Sequence, residues 1–282
     1  MRKMAPVMLM MLALAATAVA QDAPDWEVFG GYSMMKGDLL STSNLALGGM
    51  SPRLMGYDGP EGYGTSMNEA VITNGFDFAL TRNLNSWVGI KANFSGHYGT
   101  LDIDTAMTGD YENEYYDETY RNTTSMAGKA DYRRYNVLFG PQFSWNNDSI
   151  VRPFAHALFG VSKMTADDVN VRYVDSYVDD YGDSVYSDED VTTITGSLKG
   201  DTNLAMAFGG GIDLKAGKNV SIRLIQAEYA PTYNRIKTDV TATTVDYDDG
   251  EVWSTDTTRI RSTGASSRLN NLKLSFGVVF NF

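Results

Sequence analysis

NNLKLSFGVVFNF, Asn270 to Phe282, closes the chain. Read at period two, Leu272, Leu274, Phe276, Val278, Phe280 and Phe282 fall on one face. Lys273, Ser275, Gly277, Val279 and Asn281 fall on the other. This is a strand with one apolar side and one mostly small or polar side. A protein in water rarely ends on such a strand left uncovered, because its free edge and apolar face invite aggregation. A barrel closed in lipid needs one: the last strand pairs with the first and turns its apolar face to the hydrocarbon.

Working outward from that ending, eight stretches read as strands: about 26–35, 68–80, 86–98, 132–145, 151–163, 203–214, 220–233 and 270–282. Val137, Phe139, Pro141 and Phe143 share a face against Asn136, Gly140 and Gln142. Val88, Ile90, Ala92 and Phe94 oppose Lys91, Asn93, Ser95 and His97. Leu204, Met206, Phe208 and Ile212 oppose Asn203, Gly209, Gly211 and Asp213. A helical period fits none of these better. The links alternate in length. Those at 82–85, 146–148 and 216–219 are short, polar and turn-forming, whereas those near 36–67, 99–131, 164–202 and 234–269 run to about thirty residues or more. Both termini then lie on the short-turn side. A soluble sandwich or lipocalin-like barrel also has period-two strands, but has no reason to sort its links by length. The reading is therefore all-β: an eight-stranded antiparallel transmembrane β-barrel with long extracellular loops.

The tryptophans agree. Trp26 opens the first strand, Trp87 opens the third and Trp145 closes the fourth, all at one rim, with Tyr98, Tyr132, Tyr135 and Tyr233 near the other. That is the expected pattern of interfacial aromatic belts. Residues 1–20 read as a signal peptide: Arg2 and Lys3, an apolar run from Ala5 to Val19, and Ala18-Val19-Ala20 as the cleavage site. Residues 21–282 read as one barrel domain. No other run reaches the roughly 18 apolar residues of a membrane helix, and there is no cysteine.

The chain carries 35 acidic and 23 basic residues, net −12; removing Arg2 and Lys3 gives −14. That balance excludes a nucleic-acid partner. The acids concentrate in two links. Residues 101–131 hold eight against Arg121 and Lys129, and residues 164–199 hold nine against Arg172 and Lys199. Val169, Val171 and Tyr173 alternate like a strand, and Asp248-Asp249-Gly250 reads as a hairpin turn, so hairpins projecting beyond the membrane are expected rather than slack coil.

The stretches NVLFGPQF (136–143), RPFAHALFGVSK (152–163), AMAFGGGIDL (205–214), RLIQAEYAPT (223–232) and LKLSFGVVFNF (272–282) together resemble the small OmpA-like, porin-family class of bacterial outer-membrane β-barrels. The resemblance is one of strand pattern rather than motif. It implies the bacterial outer membrane as location and a non-enzymatic structural or surface role. It also implies lipopolysaccharide and phospholipid as surroundings, and recognition of the terminal Phe282 by the barrel assembly machinery. The peptidoglycan-binding domain that follows the barrel in OmpA itself is expected to be absent.

By parity Asp77, Lys91, Arg152, His156, Asp213, Glu228 and Lys273 point into the lumen. An eight-stranded barrel is just wide enough for side chains to fill it, so these charges are expected to form a salt-bridged plug. The alternative is a small-pore porin passing ions or small solutes. Arg223 and Glu228 have opposite parity, so a bulge or an interfacial position is required in that strand. Four Phe-Gly steps, at 139–140, 159–160, 208–209 and 276–277, each put an aromatic outward and a glycine inward, where it permits curvature and close packing.

No catalytic residue, cofactor site or metal site is assigned. Only His97 and His156 are present, and neither forms a triad with Ser and Asp by order or motif. The acidic, Tyr-rich links suit a surface ligand or divalent cations. Asp179, Asp180, Asp183, Asp188, Glu189 and Asp190 could offer carboxylates, but the spacing matches no calcium loop. Solvated acidic loops remain the simpler reading.

Overall fold

The structure, a computed structural model, describes residues 24–37, 71–113, 118–145, 149–180, 185–263 and 266–282. The expected signal peptide, most of the link at 36–67 and the turn at 146–148 lie outside the described residues. Twelve strands are described. In chain order they are β1 (Trp26–Gly37), β2 (Val71–Asn83), β3 (Val88–Asn113), β4 (Glu118–Ser144), β5 (Val151–Asp180), β6 (Val185–Lys215), β7 (Val220–Tyr229), β8 (Thr232–Asn234), β9 (Ile236–Asp248), β10 (Glu251–Thr263), β11 (Ser267–Leu269) and β12 (Asn271–Asn281).

The ladder closes. Each of β1 to β6 pairs antiparallel with the next, β12 pairs with β7, and β1 pairs with β12 from Glu27↔Asn281 to Gly37↔Asn271. Trp26 and Phe282 exchange both backbone hydrogen bonds, at 3.1 and 2.9 Å, so the first and last residues of the wall are sealed together. This is the eight-stranded antiparallel barrel expected from the sequence. β8 and β11 extend β7 and β12 past short breaks at Ala230-Pro231 and Asn270. Pro231 cannot donate a ladder hydrogen bond, which places the first break.

Polarity is inverted relative to a protein in water. Outside, Phe78, Leu80, Ile90, Phe94, Val137, Phe139, Phe159, Phe276 and Phe280 are exposed. Inside, Asp77, Lys91, His97, Arg223 and Glu228 are all at most 2% exposed. On β4 the outward run goes from Trp145 to Tyr135, ten residues. At about 3.3 Å per residue and a tilt of roughly 40° it covers about 25 Å, the height of a membrane's apolar band. Trp26, Trp87 and Trp145 ring the short-turn end as expected, with Trp87 stacked on Phe143. Tyr98 and Tyr135 meet edge to face near the other end, their hydroxyls 3.0 Å apart. Tyr132 departs from expectation. It is inward and buried, because Tyr135 takes the outward place and strand parity sends residue 132 the other way.

The Phe-Gly steps keep their assigned faces. A Cβ on Gly277 would fall 2.3 Å from the Gly30 carbonyl oxygen and 2.5 Å from the Gly31 Cα, so the closing pair β1–β12 approaches too tightly for any side chain there.

The expected long links at 99–131, 164–202 and 234–269 are largely strand. β3–β4 stays paired to Asn113↔Glu118 and β5–β6 to Asp180↔Val185. Above Gly200, β6 leaves the wall's next strand and takes β9 instead, from Gly200↔Ile236 to Asp188↔Asp248. β9 and β10 form a hairpin through Asp249 (φ 48°) and Gly250 (φ 81°), the positive-φ pair of a type I′ turn. A sheet ordered β3-β4-β5-β6-β9-β10 thus stands beyond the apolar band. It has its own core of Tyr132, Met164, Ala166, Val169, Val171, Ile194, Leu198, Val240, Ala242 and Leu269. That core is why these segments are ordered sheet and not solvated coil.

Candidate functional site

Two features stand out: the filled lumen and the acidic sheet above it. Along β12 from the short-turn end, the inward positions are Asn281, Val279, Gly277, Ser275, Lys273 and Asn271, and each marks a level of the interior.

At the Gly277 level Arg223 holds Asp213 through both oxygens, Nε to Oδ1 at 2.7 Å and Nη2 to Oδ2 at 2.9 Å. Its guanidinium lies between the rings of Phe29 and Phe154, 4.3 and 4.1 Å from their centroids. Flat, weakly hydrated and bidentate, arginine suits this place where lysine would not. Its Nη1 donates to Gln226 Oε1 at 2.6 Å, which also accepts from Lys91 Nζ at 3.3 Å. Gln226 Nε2 donates to Asp77 Oδ2 at 3.1 Å. One amide therefore joins the lower ion pair to the central group.

That central group is Asp77, Glu228, Lys273, His156 and Lys91. Lys273 Nζ lies 2.5 Å from Glu228 and 3.1 Å from Asp77. His156 Nε2 meets the other Glu228 oxygen at 2.6 Å, and Lys91 stands 3.4 Å from His156 Nδ1. Three carboxylates, Asp77, Asp213 and Glu228, face three cations, Lys91, Arg223 and Lys273. Buried charge is tolerated only when so matched and bonded. Ser275 continues the chain from Asp77 to Ser33, whose Oγ lies 2.9 Å from His97 Nε2. Higher still, Arg134 donates to Asn271 Oδ1 at 2.7 Å beneath the apolar cap of Tyr132 and Met164. A cavity of about 10 Å³ beside Met35, Ser95, Asn136, Leu138 and Lys273 has room for about one water.

Of the seven lumen residues expected from parity, Asp77, Lys91, His156, Asp213, Glu228 and Lys273 are brought together. Arg152 is not. It is half-buried near the short-turn end of β5 and its Nε has no hydrogen-bond partner. Its ladder neighbour Asp213 is already claimed at both oxygens by Arg223. Arg223 is in turn admitted by a bulge. Leu224 and Ile225 are consecutive outward residues opposite the single Phe276, and the register slips by one on both sides of β7. Arg223 and Glu228 both face inward as a result, which resolves their opposite parity. Parity alone could not find Phe29, Phe154 or Gln226 as the residues that bind the network, since nothing in their spacing marks them.

In the outer sheet, carboxylates stand abreast. Asp175↔Asp190 and Asp190↔Asp246 are ladder pairs on three neighbouring strands, with Asp188↔Asp248 the next pair on the same face toward the hairpin tip. Thr124 donates to Asp175 at 2.9 Å and Ser254 to Asp246. Burial, then the neighbouring Asp246, pushes the Asp190 carboxyl above its ordinary range. No group of three or more acidic, histidine or cysteine side chains suited to a metal occurs among the described residues. Asp183, one of the candidate carboxylates, lies outside them.

No known protein-family model matches the chain, and no curated protein is similar to it in sequence. Solved structures similar in part include the Neisserial surface protein A (NspA), at 11% identity, covering 93% of this chain and 100% of that one, TM-score 0.40. The attachment invasion locus protein Ail of Yersinia pestis is 11% identical over 92% of this chain and 99% of its own, TM-score 0.35. The outer membrane protein OprG of Pseudomonas aeruginosa is 11% identical over 93% and 98%, TM-score 0.38. The transmembrane barrel assignment stands on the closed ladder and the inverted polarity of this chain itself.

Proposed function

We propose that this chain is a non-enzymatic barrel of the bacterial outer membrane that anchors an acidic, Tyr-bearing sheet at the cell surface as an interaction platform. The observation that carries this reading is the division of the molecule. Below, the lumen is packed with mutually neutralising charges. Above, β3 to β6 and β9–β10 build a sheet with its own apolar core. A chain that passed solutes would gain nothing from filling its channel, and slack loops would suffice if the outer part had no role. The sheet instead presents rigid strand faces, and ordered tyrosines bind with little entropy left to lose. Phe282, outward at the seam of the wall, is the terminal aromatic that barrel assembly machinery would read.

Single-channel recording in planar bilayers tests the lower half. The refolded mature chain is expected to give no discrete conductance steps, and reproducible steps would replace this reading with the small-pore alternative. Fractionation tests the location: the mature chain is expected with outer membranes, running faster on gels unless boiled, and recovery as a soluble periplasmic monomer would overturn it.

A further inference from the structure

Lys273 is a buried amine in contact with two carboxylates at once. Its Nζ lies 3.1 Å from Asp77 Oδ2 and 2.5 Å from Glu228 Oε2, and none of the three side chains is more than 3% exposed. Their strands β12 and β2 are not neighbours. β1 lies between them, with Lys273 beside Met35 and Asp77 beside Gly31. The inward residues of β1 on that path are Gly31 and Ser33, small enough to let the lysine chain cross. Asp77 is held at both oxygens: Ser275 Oγ and Gln226 Nε2 donate to Oδ2 at 2.9 and 3.1 Å, and Asn93 Nδ2 donates to Oδ1. The cavity of about 10 Å³ borders Lys273 and has room for about one water. The chain contains no cysteine, so no disulfide can tie the seam where the first and last strands meet.

We infer that Lys273 and Asp77 condense to an amide, an isopeptide crosslink from β12 to β2 across the closing strand β1. The step is a dehydration with no change of oxidation state. Nζ first gives one proton to Asp77 Oδ2, so that a neutral amine faces a carboxylic acid; in a dry interior separated charges are costly and the neutral forms come within reach. Nζ then attacks Asp77 Cγ, and the charge developing on Oδ1 meets the Asn93 amide. Glu228 takes a second proton from Nζ and passes it to Oδ2. The Cγ–Oδ2 bond breaks, one water departs toward the adjoining cavity, and Glu228 is left ionised as it began. The amide keeps the third proton of the amine. Holding amine and carboxyl in contact supplies the effective concentration that a free amine and acid lack. Charge balance survives, because one cation and one carboxylate vanish together. Arg223–Asp213 cannot follow the same course, since a guanidinium does not deprotonate. Lys237–Asp201, 2.6 Å apart but exposed, stays a hydrated ion pair. The crosslink closes most of the chain into one loop and locks the seam. It needs only the folded lumen and is independent of what the outer sheet binds.

The test is made on the mature chain refolded in detergent, with its folded, heat-modifiable band isolated, denatured, digested with trypsin and read by tandem mass spectrometry. Residues 54–82 and 269–282 are expected as one joined species, lighter than their sum by one water, with no cleavage after Lys273. The same chain kept in urea and never refolded is expected to give them separately. Separate peptides from the folded band, cleaved after Lys273, would overturn the crosslink and leave an ion pair only. K273R keeps the charge but not the nucleophile, and is expected to give separate peptides from a band that is still heat-modifiable. E228Q is expected to slow joining after refolding about a hundredfold; joining at the parent's rate would overturn Glu228 as the proton carrier and the step as written. The parent's own digest decides the crosslink even if neither variant folds. Absence of a folded band from the parent would count against the barrel instead, so the two failures are distinguishable.

Discussion

Asp190 stands between Asp175 and Asp246 on adjacent strands, and like charges directly opposite one another destabilise a ladder. Asp190→Asn should therefore stabilise the outer sheet by about 0.5 kcal/mol near neutral pH, seen as slower hydrogen exchange across β6 and β9. The pH response follows from two carboxyls of opposite sign. Burial and Asp246 raise Asp190, so the folded sheet holds its proton more tightly than the unfolded chain, and that contribution grows as pH falls. The hydrogen bond from Arg259 lowers Asp239, so its contribution is complete at neutral pH and disappears only as pH drops below its ordinary value of 3.8. Exchange protection of β9–β10 should thus rise as pH falls from neutral toward 3.8 and fall again below it. A monotonic loss on acidification would contradict the assigned carboxylate row. At this scale the inward charges were legible from parity, since alternation decides which side of a strand a residue takes. Their partners were not: Asp213 pairs with Arg223, ten residues away in sequence, and leaves its ladder neighbour Arg152 aside.

The bulge in β7 is the element on which the lumen turns. Deleting Leu224 would leave Arg223 and Glu228 four residues apart, so a regular strand would keep both inward with Ile225 alone opposite Phe276. The barrel is expected to keep its folded, heat-modifiable band in detergent; loss of that band would show that the bulge does more than bring the two charges to one face. On β12, Phe276→Arg should cost roughly 2–4 kcal/mol near the midplane of the bilayer. Ser275→Arg acts on the other face, where it meets Asp77 and Ser33 in a filled interior. Its expected signature is disruption of the lumen network, read as altered conductance or lower unfolding resistance in urea. Identical behaviour of the two variants in lipid would mean the assigned faces are wrong. Strand existence was readable at this scale from period two. Strand length was not, because β3 to β6 continue well past the apolar band on Thr, Tyr and Asp, which single-strand periodicity treats as loop composition.

Across the whole molecule the wall and the outer sheet share strands but not their reasons for folding. Lys163↔Thr202 is the last uninterrupted β5–β6 pair before the register slips, and the wall below it is complete. Removing Ala166 to Thr195 is therefore expected to leave a folded barrel, since extending or shortening a connection changes closure entropy only slowly. β9 would lose β6 as its partner, and Val240 and Leu269 would lose their cover. Lys237, Arg259 and Arg261 should then become rapid trypsin sites in an otherwise resistant barrel. Loss of the folded band would show that the outer sheet holds the wall closed.

By itself, the sequence determined the class of fold, the number of wall strands, the face of nearly every wall residue and the end at which the connections are short. Each follows from local alternation and turn chemistry, which act over two to four residues. Only the tertiary structure decided which charges neutralise one another, that β6 exchanges β7 for β9 above the band, and that the acidic links join into one sheet with a core. These depend on which distant strands closure brings side by side, and a barrel sets that by register around its circumference, where neighbours such as Glu27 and Asn281 are separated by almost the entire chain.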